Sequence, residues 1–403
     1  MSPIITATKI VAAVGLIAVT AACGADPAGS AVAAEPVVEL SELDVGAYRT
    51  EPVDMGLPKN MPAARFMEAN RLASAMPLPY EVDPMLTVGE AGTTHSFLEV
   101  GQFHLSPIFH WLHEETFNDA AKDFIAGFST IGRSDEERIF SYELVNSTLI
   151  FPDNESAEHA AAALSKAELY GAGPTEGSSL PEYPDAYAKW QPETQSLISW
   201  KASGQYVLIT IVEHNENAEL GISDLPFLTT LSQKSIAATV ESLQEFTPTP
   251  VDRLMATPVD PDNIRGLSLE RPLGDSFENI PGGFDLHGAL HLADNPKEIA
   301  QLYRANGVDR VVLGAGKLVR ATDSGAAQRI FQAERRSDKF WHSVDPPTNL
   351  PNAKCLQYKG PRDRIRFYCH VQFERYVASE WSGQIRDAHQ RISAQYSILA
   401  NSK

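Results

Sequence analysis

The chain has 403 residues, 43% of them hydrophobic, and is long enough for two ordinary domains with real cores. Its formal charge of −19 has the wrong sign for neutralising phosphates, which argues against a nucleic-acid partner. Beyond the first 22 residues no apolar run exceeds Tyr206–Val212, so a second membrane-crossing helix is not expected.

Residues 1–22 read as an export leader. Lys9 and the terminal amine make a weakly positive start, and the apolar run Ile10–Ala22 is 13 residues long. A membrane-spanning helix needs about 20. A charged start, a short apolar middle and small residues at the exit mark a secretion signal. Thr20-Ala21-Ala22 sit directly before Cys23-Gly24 and resemble the bacterial lipobox, in which the thiol receives a diacylglycerol and the peptide is cut just ahead of it. The expectation is a palmitate-type lipid on Cys23, tethering the chain to the outer face of a membrane. An ordinary leader with a nearby cut and an incidental Cys23 is the competing reading. Residues 23–38 are rich in Ala, Gly and Pro, cannot bury much apolar surface, and suit a flexible tether.

A first domain is expected over residues 39–250, opening with an irregular lead to Lys59. Phe66, Ala69, Ala73 and Met76 recur at three- and four-residue steps and predict a helix from Pro62 to Met76. Another helix is predicted from Pro107 to Phe128, and an extended run over Arg138–Phe151. Asp153 or Asn154 starts a helix over Glu155–Leu169. Ser196–Ala202 and Tyr206–Val212 flank Ser203-Gly204 and read as a β-hairpin. Asp224 caps a long helix with Pro226 in its first turn, ending near Phe246.

Four prolines in Phe246–Pro261 forbid a continuous helix and place a linker at residues 251–262. The second domain, 263–403, repeats the order of the first. A helix at Pro296–Asn306 precedes extended runs at Arg310–Leu313 and Lys317–Ala321. Asp323 caps a helix over Gly325–Asp338, a hairpin follows, and a terminal helix is predicted from Ser379 to Leu399. The hairpin carries Cys355 and Cys369 on the runs Lys354–Lys359 and Arg364–Phe373. With Cys23 taken by lipid, the remaining pair in an oxidising compartment is expected to form a disulfide, worth roughly 3 kcal/mol in the chain-entropy model. Two buried free thiols are the alternative; a two-cysteine zinc site lacks the close ligand spacing. The fold class is therefore α+β: two domains, each an antiparallel sheet with helices on one face, and a strand–helix–hairpin–helix unit that reads as duplicated. Lys and Arg outnumber Asp and Glu between Arg329 and Arg391, against the acidic whole. A basic C-terminal part packing on an acidic N-terminal part accounts for this; a basic face for anionic headgroups or glycans is the sharper reading.

Leu43-Asp-Val-Gly-Ala-Tyr48, Ala64-Arg-Phe-Met-Glu-Ala-Asn-Arg-Leu-Ala73, Glu81-Val-Asp-Pro84, Ala126-Gly-Phe-Ser129 and Asp387-Ala-His-Gln-Arg-Ile-Ser-Ala-Gln-Tyr396 carry a resemblance. Nearly the whole chain beyond Cys23 is similar to a family of actinobacterial cell-envelope lipoproteins, of mycobacterial and nocardial type, built on a domain of unknown function. That resemblance implies a fold and a compartment, and it brings no catalytic residues.

His110-Trp-Leu-His113-Glu114-Glu115 would place two imidazoles on one helical face beside carboxylates, but lacks the i, i+4 spacing of hydrolytic zinc sites. His287-Gly-Ala-Leu-His291 has that spacing without a neighbouring Glu, and follows Pro281-Gly282-Gly283 in what reads as loop or strand. The wet side of an amphipathic helix and a loop account for the two clusters. No Gly-x-Ser-x-Gly occurs, Gly314-Ala-Gly316 is a two-glycine turn, Glu136-Glu137 reads as solvated charge, and Trp341-His342 as an aromatic closing a core edge. No catalytic residue, metal or cofactor is expected. The expected function is a non-catalytic envelope lipoprotein that binds a small molecule, a lipid or an envelope protein, between sheet and helices or at the domain junction. An envelope enzyme with a His-based site, or a purely structural surface lipoprotein, are the alternatives.

Overall fold

The computed structural model describes residues 38–92, 94–98, 114–169, 174–270, 282–333, 339–361 and 365–402. Cys23, His110 and His113 lie outside these residues.

The lead holds one short 3-10 turn, Leu40–Glu42. Helix α1 (Met61–Ala73) starts where the Asn60 side chain accepts the Ala63 N–H at 2.9 Å, with Pro62 in the first turn. A single turn, α2 (Pro79–Val82), and two short strands, β1 (Val88–Gly89) and β2 (His95–Phe97), lead to α3 (Glu114–Ala120) and β3 (Ala126–Arg133). The helix predicted to Phe128 thus ends early. Gly127 and Gly132 weaken the strand signal of β3, and both are there for close approach. A Cβ on Gly127 would lie 2.5 Å from the Phe97 ring, and one on Gly132 2.3 Å from Pro79.

The expected extended run at Arg138 begins as a 3-10 turn, Arg138–Phe140, and becomes β4 (Tyr142–Ile150). Helix α4 (Asn154–Leu164) follows, then β5 (Glu176–Ser178), β6 (Tyr187–Gln191), β7 (Ser196–Ser203) and β8 (Tyr206–His214). The predicted hairpin is β7–β8, with Gly204 at a left-handed φ of 58° in its turn. The short α5 (Asn215–Leu220) precedes α6 (Leu225–Ser242), where the Asp224 carboxylate accepts the Phe227 N–H at 3.1 Å.

The second half opens with β9 (Gly282–Asp285), α7 (Leu286–Leu290) and α8 (Pro296–Ala305). Strands β10 (Arg310–Leu313) and β11 (Lys317–Arg320), helix α9 (Ser324–Ala333), strands β12 (Trp341–Val344), β13 (Lys354–Tyr358), β14 (Phe367–Phe373) and β15 (Tyr376–Ser382), and helix α10 (Ile385–Ala400) complete it. The terminal helix therefore starts later than Ser379. Val377, Ser379 and Trp381 alternate with Ala378 and Glu380, and pairing with β14 on one side and β11 on the other holds this run extended.

Two antiparallel sheets result, with strand orders β5-β6-β7-β8-β4-β3-β1 and β12-β13-β14-β15-β11-β10-β9. The orders are the same when each half is followed along the chain: edge strand, helix, hairpin, Asp-capped helix, four strands, long helix. Even the caps correspond. Asp153 accepts the Ser156 N–H at 2.8 Å at the head of α4, and Asp323 accepts the Ala326 N–H at 2.8 Å at the head of α9.

The layering needs a correction, because both sheets carry helices on both faces. Val207, Ile209 and Ile211 of β8 pack with α3 and α4, while Leu208 and Val212 pack with α1 and α6. In the second sheet Leu318, Val371 and Ala378 meet α10, and Val311, Val319 and Val377 meet α8 and α9. Strands buried on both faces carry apolar residues on both, so β8 reads as a nearly continuous apolar run and not as an alternation.

The halves are closely joined. Val38–Lys403 form one compact unit, and one core cluster holds Leu72 and Phe128 of the first half with Phe284 of the second. The proline-rich stretch packs too: Leu254 is buried, and the Val259 N–H donates to the Gly56 carbonyl at 2.9 Å. Among the described residues, no helix is long and apolar enough to cross a membrane.

Candidate functional site

The second half turns at α7, a short helix where loop or strand was expected. Asp285 sets it. Its Oδ1 accepts the Gly288 N–H and the Ser74 hydroxyl, both at 2.8 Å, which caps α7 and ties it to α1. One turn then stacks His287 and His291 on the same side, rings 5.6 Å apart and edge to face.

Both histidines face the first half. The His291 Nε2 lies 3.1 Å from the Met76 carbonyl, which can only accept, so Nε2 carries the proton. Its Nδ1, 3.0 Å from Oγ1 of Thr130, then accepts the hydroxyl proton. Phe128 closes the ring edge at 5.2 Å. Burial, helped by the His287 charge, pushes the His291 pKa down to about 3, so this imidazole stays neutral. With both nitrogens engaged it is a core histidine, and a metal there would have to displace a hydrogen bond.

His287 differs. Its Nε2 lies 3.1 Å from Oε2 of Glu81, a carboxylate supplied by α2 and far away in sequence. Burial pulls its pKa down, but the hydrogen bond and charge of Glu81 outweigh burial and raise it. Glu81 is correspondingly held low, its own burial being outweighed by His287 and by the Leu78 N–H.

The opposite side of α7 lines a cavity of about 440 Å³. Ala289, Leu292 and Ala293 with Ile299 and Tyr303 of α8 form one wall. Phe284, Val311 and Leu313 of the sheet form the other, and Asp294, Asn295, Glu298 and Lys317 supply its polar atoms. The cavity has the size and the mostly apolar lining of a small-molecule site. Gly89 fixes the neighbouring turn: its N–H donates to the Asp294 carbonyl at 2.8 Å, and a Cβ would lie 2.2 Å from the Ala293 carbonyl oxygen. Sequence reasoning missed this site because α7 was not recognised. The signal available was Asp285 three residues ahead of Gly288, an N-cap spacing.

Cys355 and Cys369 are joined in a disulfide between register partners of β13 and β14, beneath α10. His389 comes within 4.8 Å of both sulfurs, but disulfide sulfurs offer no thiolate to a metal, and its Nε2 pairs with the Asp345 carbonyl at 3.0 Å. Gly314-Ala-Gly316 forms the β10–β11 turn. Trp341 packs against Tyr358 and Tyr368 at 5.0 Å each, and Trp381 lies 6.1 Å beyond Tyr368. Those rings make a row across β12–β15 that the sequence does not reveal.

A family described as domain of unknown function (DUF7373) N-terminal matches residues 55–259, and its C-terminal counterpart matches residues 270–402. The chain belongs to the DUF7373 family. The border between the two DUF7373 parts falls beside the proline-rich stretch, and each part carries one of the two sheets. No curated protein matches. Among solved structures, the extracellular domain of PknH from Mycobacterium tuberculosis is similar at a TM-score of 0.27 and 9% identity, over 44% of this chain and 97% of that one. A score that low leaves the assignment resting on the family.

Proposed function

We propose that this DUF7373 protein is an extracytoplasmic lipoprotein of the actinobacterial cell envelope, tethered through a lipid on Cys23, that binds an apolar or amphiphilic small molecule. The observation that carries the binding role is the cavity between α7–α8 and the second sheet, about 440 Å³ with apolar walls and a few polar groups. Such a lining favours a ligand with an apolar body and a polar end near Asp294, Asn295 or Lys317. The leader and the Thr20-Ala21-Ala22-Cys23 run support the anchor. The role is non-catalytic in this reading: both ring nitrogens of His291 are engaged, by Thr130 and Met76.

Two measurements test the two parts separately. Metabolic labelling with a radioactive fatty acid should mark the protein and fail on Cys23→Ala, which should also leave the membrane fraction. Undiminished labelling of Cys23→Ala removes the anchor. Native mass spectrometry of the protein taken from its own host should show a non-covalent mass beyond the chain and its lipid; a bare chain counts against the binding role.

A further inference from the structure

A second cavity, of about 270 Å³, lies where the halves meet. Met67, Asn70 and Arg71 of α1, with Ser74 just past its end, face residues 257–265, Gly283–Asp285 of β9, and Arg310 of β10. Three guanidinium groups and three Asp carboxylates line it, so their pairing determines what the cavity can take.

Five of the six are committed. Arg71 holds Glu68 at 2.7 Å and the Thr249 hydroxyl at 2.6 Å. Arg310 grips Asp262 with two hydrogen bonds, at 2.6 and 3.0 Å. Asp285 caps α7 and holds Ser74. Asp260 is used as a staple: Oδ1 accepts the Ile264 N–H at 3.0 Å and Oδ2 the Gly266 N–H at 2.8 Å. The sixth is Arg265. Its side chain makes no hydrogen bond or ion pair among the described residues, although most of its surface is buried.

The backbone that presents Arg265 is fixed. Asn263 takes a left-handed φ of 51°, the Asp260 staple closes the turn, and a Cβ on Gly266 would lie 2.0 Å from the Val53 carbonyl oxygen. Burial lowers the Arg265 pKa, outweighing the nearby Asp260 and Glu270 charges. A partly desolvated guanidinium on a rigid turn, with its neighbours' carboxylates already in use, is arranged to take a planar anion in two parallel N–H···O bonds. Met67, Pro258, Val259 and Phe284 provide apolar walls for the rest of such a molecule.

We propose that the junction cavity is a second binding site, separate from the one beneath α7–α8, and that it takes a small organic carboxylate anchored by Arg265. Isothermal titration of the full chain with benzoate, and with the isosteric but uncharged benzamide, tests it. Benzoate should bind one to one and at least about tenfold tighter than benzamide, a difference of about 1.4 kcal/mol. Arg265→Gln should lose that preference while unfolding at an unchanged temperature. Should Arg265→Gln fold poorly, Arg265→Lys keeps the charge but not the fork and should weaken benzoate several-fold. Equal binding of benzoate and benzamide, no binding of either, or full benzoate affinity in Arg265→Gln or Arg265→Lys would overturn the proposal.

Discussion

Glu81 and His287 meet at 3.1 Å across the junction of the two halves, one on α2 and the other on α7. Their titrations bracket a pH window. Glu81 is held below its ordinary 4.5, so it adds stability above that value and loses it as pH falls through the lowered pKa. His287 is held above its ordinary 6.5, so it adds stability below that value and loses it as pH rises through the raised pKa. The pair is worth most between those two values. Glu81→Gln and His287→Gln should therefore each lower the unfolding free energy from urea denaturation more at about pH 5.5 than at about pH 8.5, by up to roughly 1 kcal/mol for a partly exposed pair. Equal losses at both pH values would show that the pair contributes packing alone.

His291 works with the opposite sign. Its imidazole stays neutral in the fold, with a pKa near 3, whereas the unfolded chain takes the proton below 6.5. Stability should fall as pH drops from 6.5 towards 3, and His291→Gln should flatten that part of the profile even as it lowers stability at neutral pH. A profile as steep as the parent's would contradict the buried, neutral assignment.

The matched caps give a test of the duplicated plan. Asp153→Ala and Asp323→Ala each strand one N–H at the head of a helix on a sheet face. Each should cost about 0.5–2 kcal/mol, with the double variant additive because the sites share no partner. Chemical denaturation of the three variants checks this.

The Cys355–Cys369 bridge closes a sequence separation of 14 within the core beneath α10. Non-reducing peptide mapping should recover the linked peptides, and Cys369→Ser should lower stability by about 2–5 kcal/mol. Alkylation of both thiols without reductant would contradict the bridge.

Much of this fold is legible in the sequence wherever local signals and tertiary demands agree. Asp153, Asp224 and Asp323 each cap a helix where expected, and the β7–β8 hairpin follows from its apolar runs and Gly204. The failures have tertiary causes. Gly127 and Gly132 hide β3 because their job is to admit Phe97 and Pro79. The run at Ser379 reads as helix until β14 and β11 pair with it. For the site, the i, i+4 spacing of His287 and His291 is visible, but their fates are not. Glu81, Thr130 and Met76 arrive from distant parts of the chain, and they turn two histidines of one helix turn into a charge pair and a neutral core residue.

The cavity beneath α7–α8 is the centre of the account, and filling it is the most direct test. N-phenyl-1-naphthylamine, a neutral apolar fluorophore, should bind the full chain saturably at one site and be displaced by decanoic acid. Ala289→Phe and Leu313→Trp place bulk on opposite walls of the cavity, and each should weaken the probe at least about tenfold, or about 1.4 kcal/mol, while circular dichroism stays that of the parent. Probe binding of parental affinity in both folded variants would contradict the account.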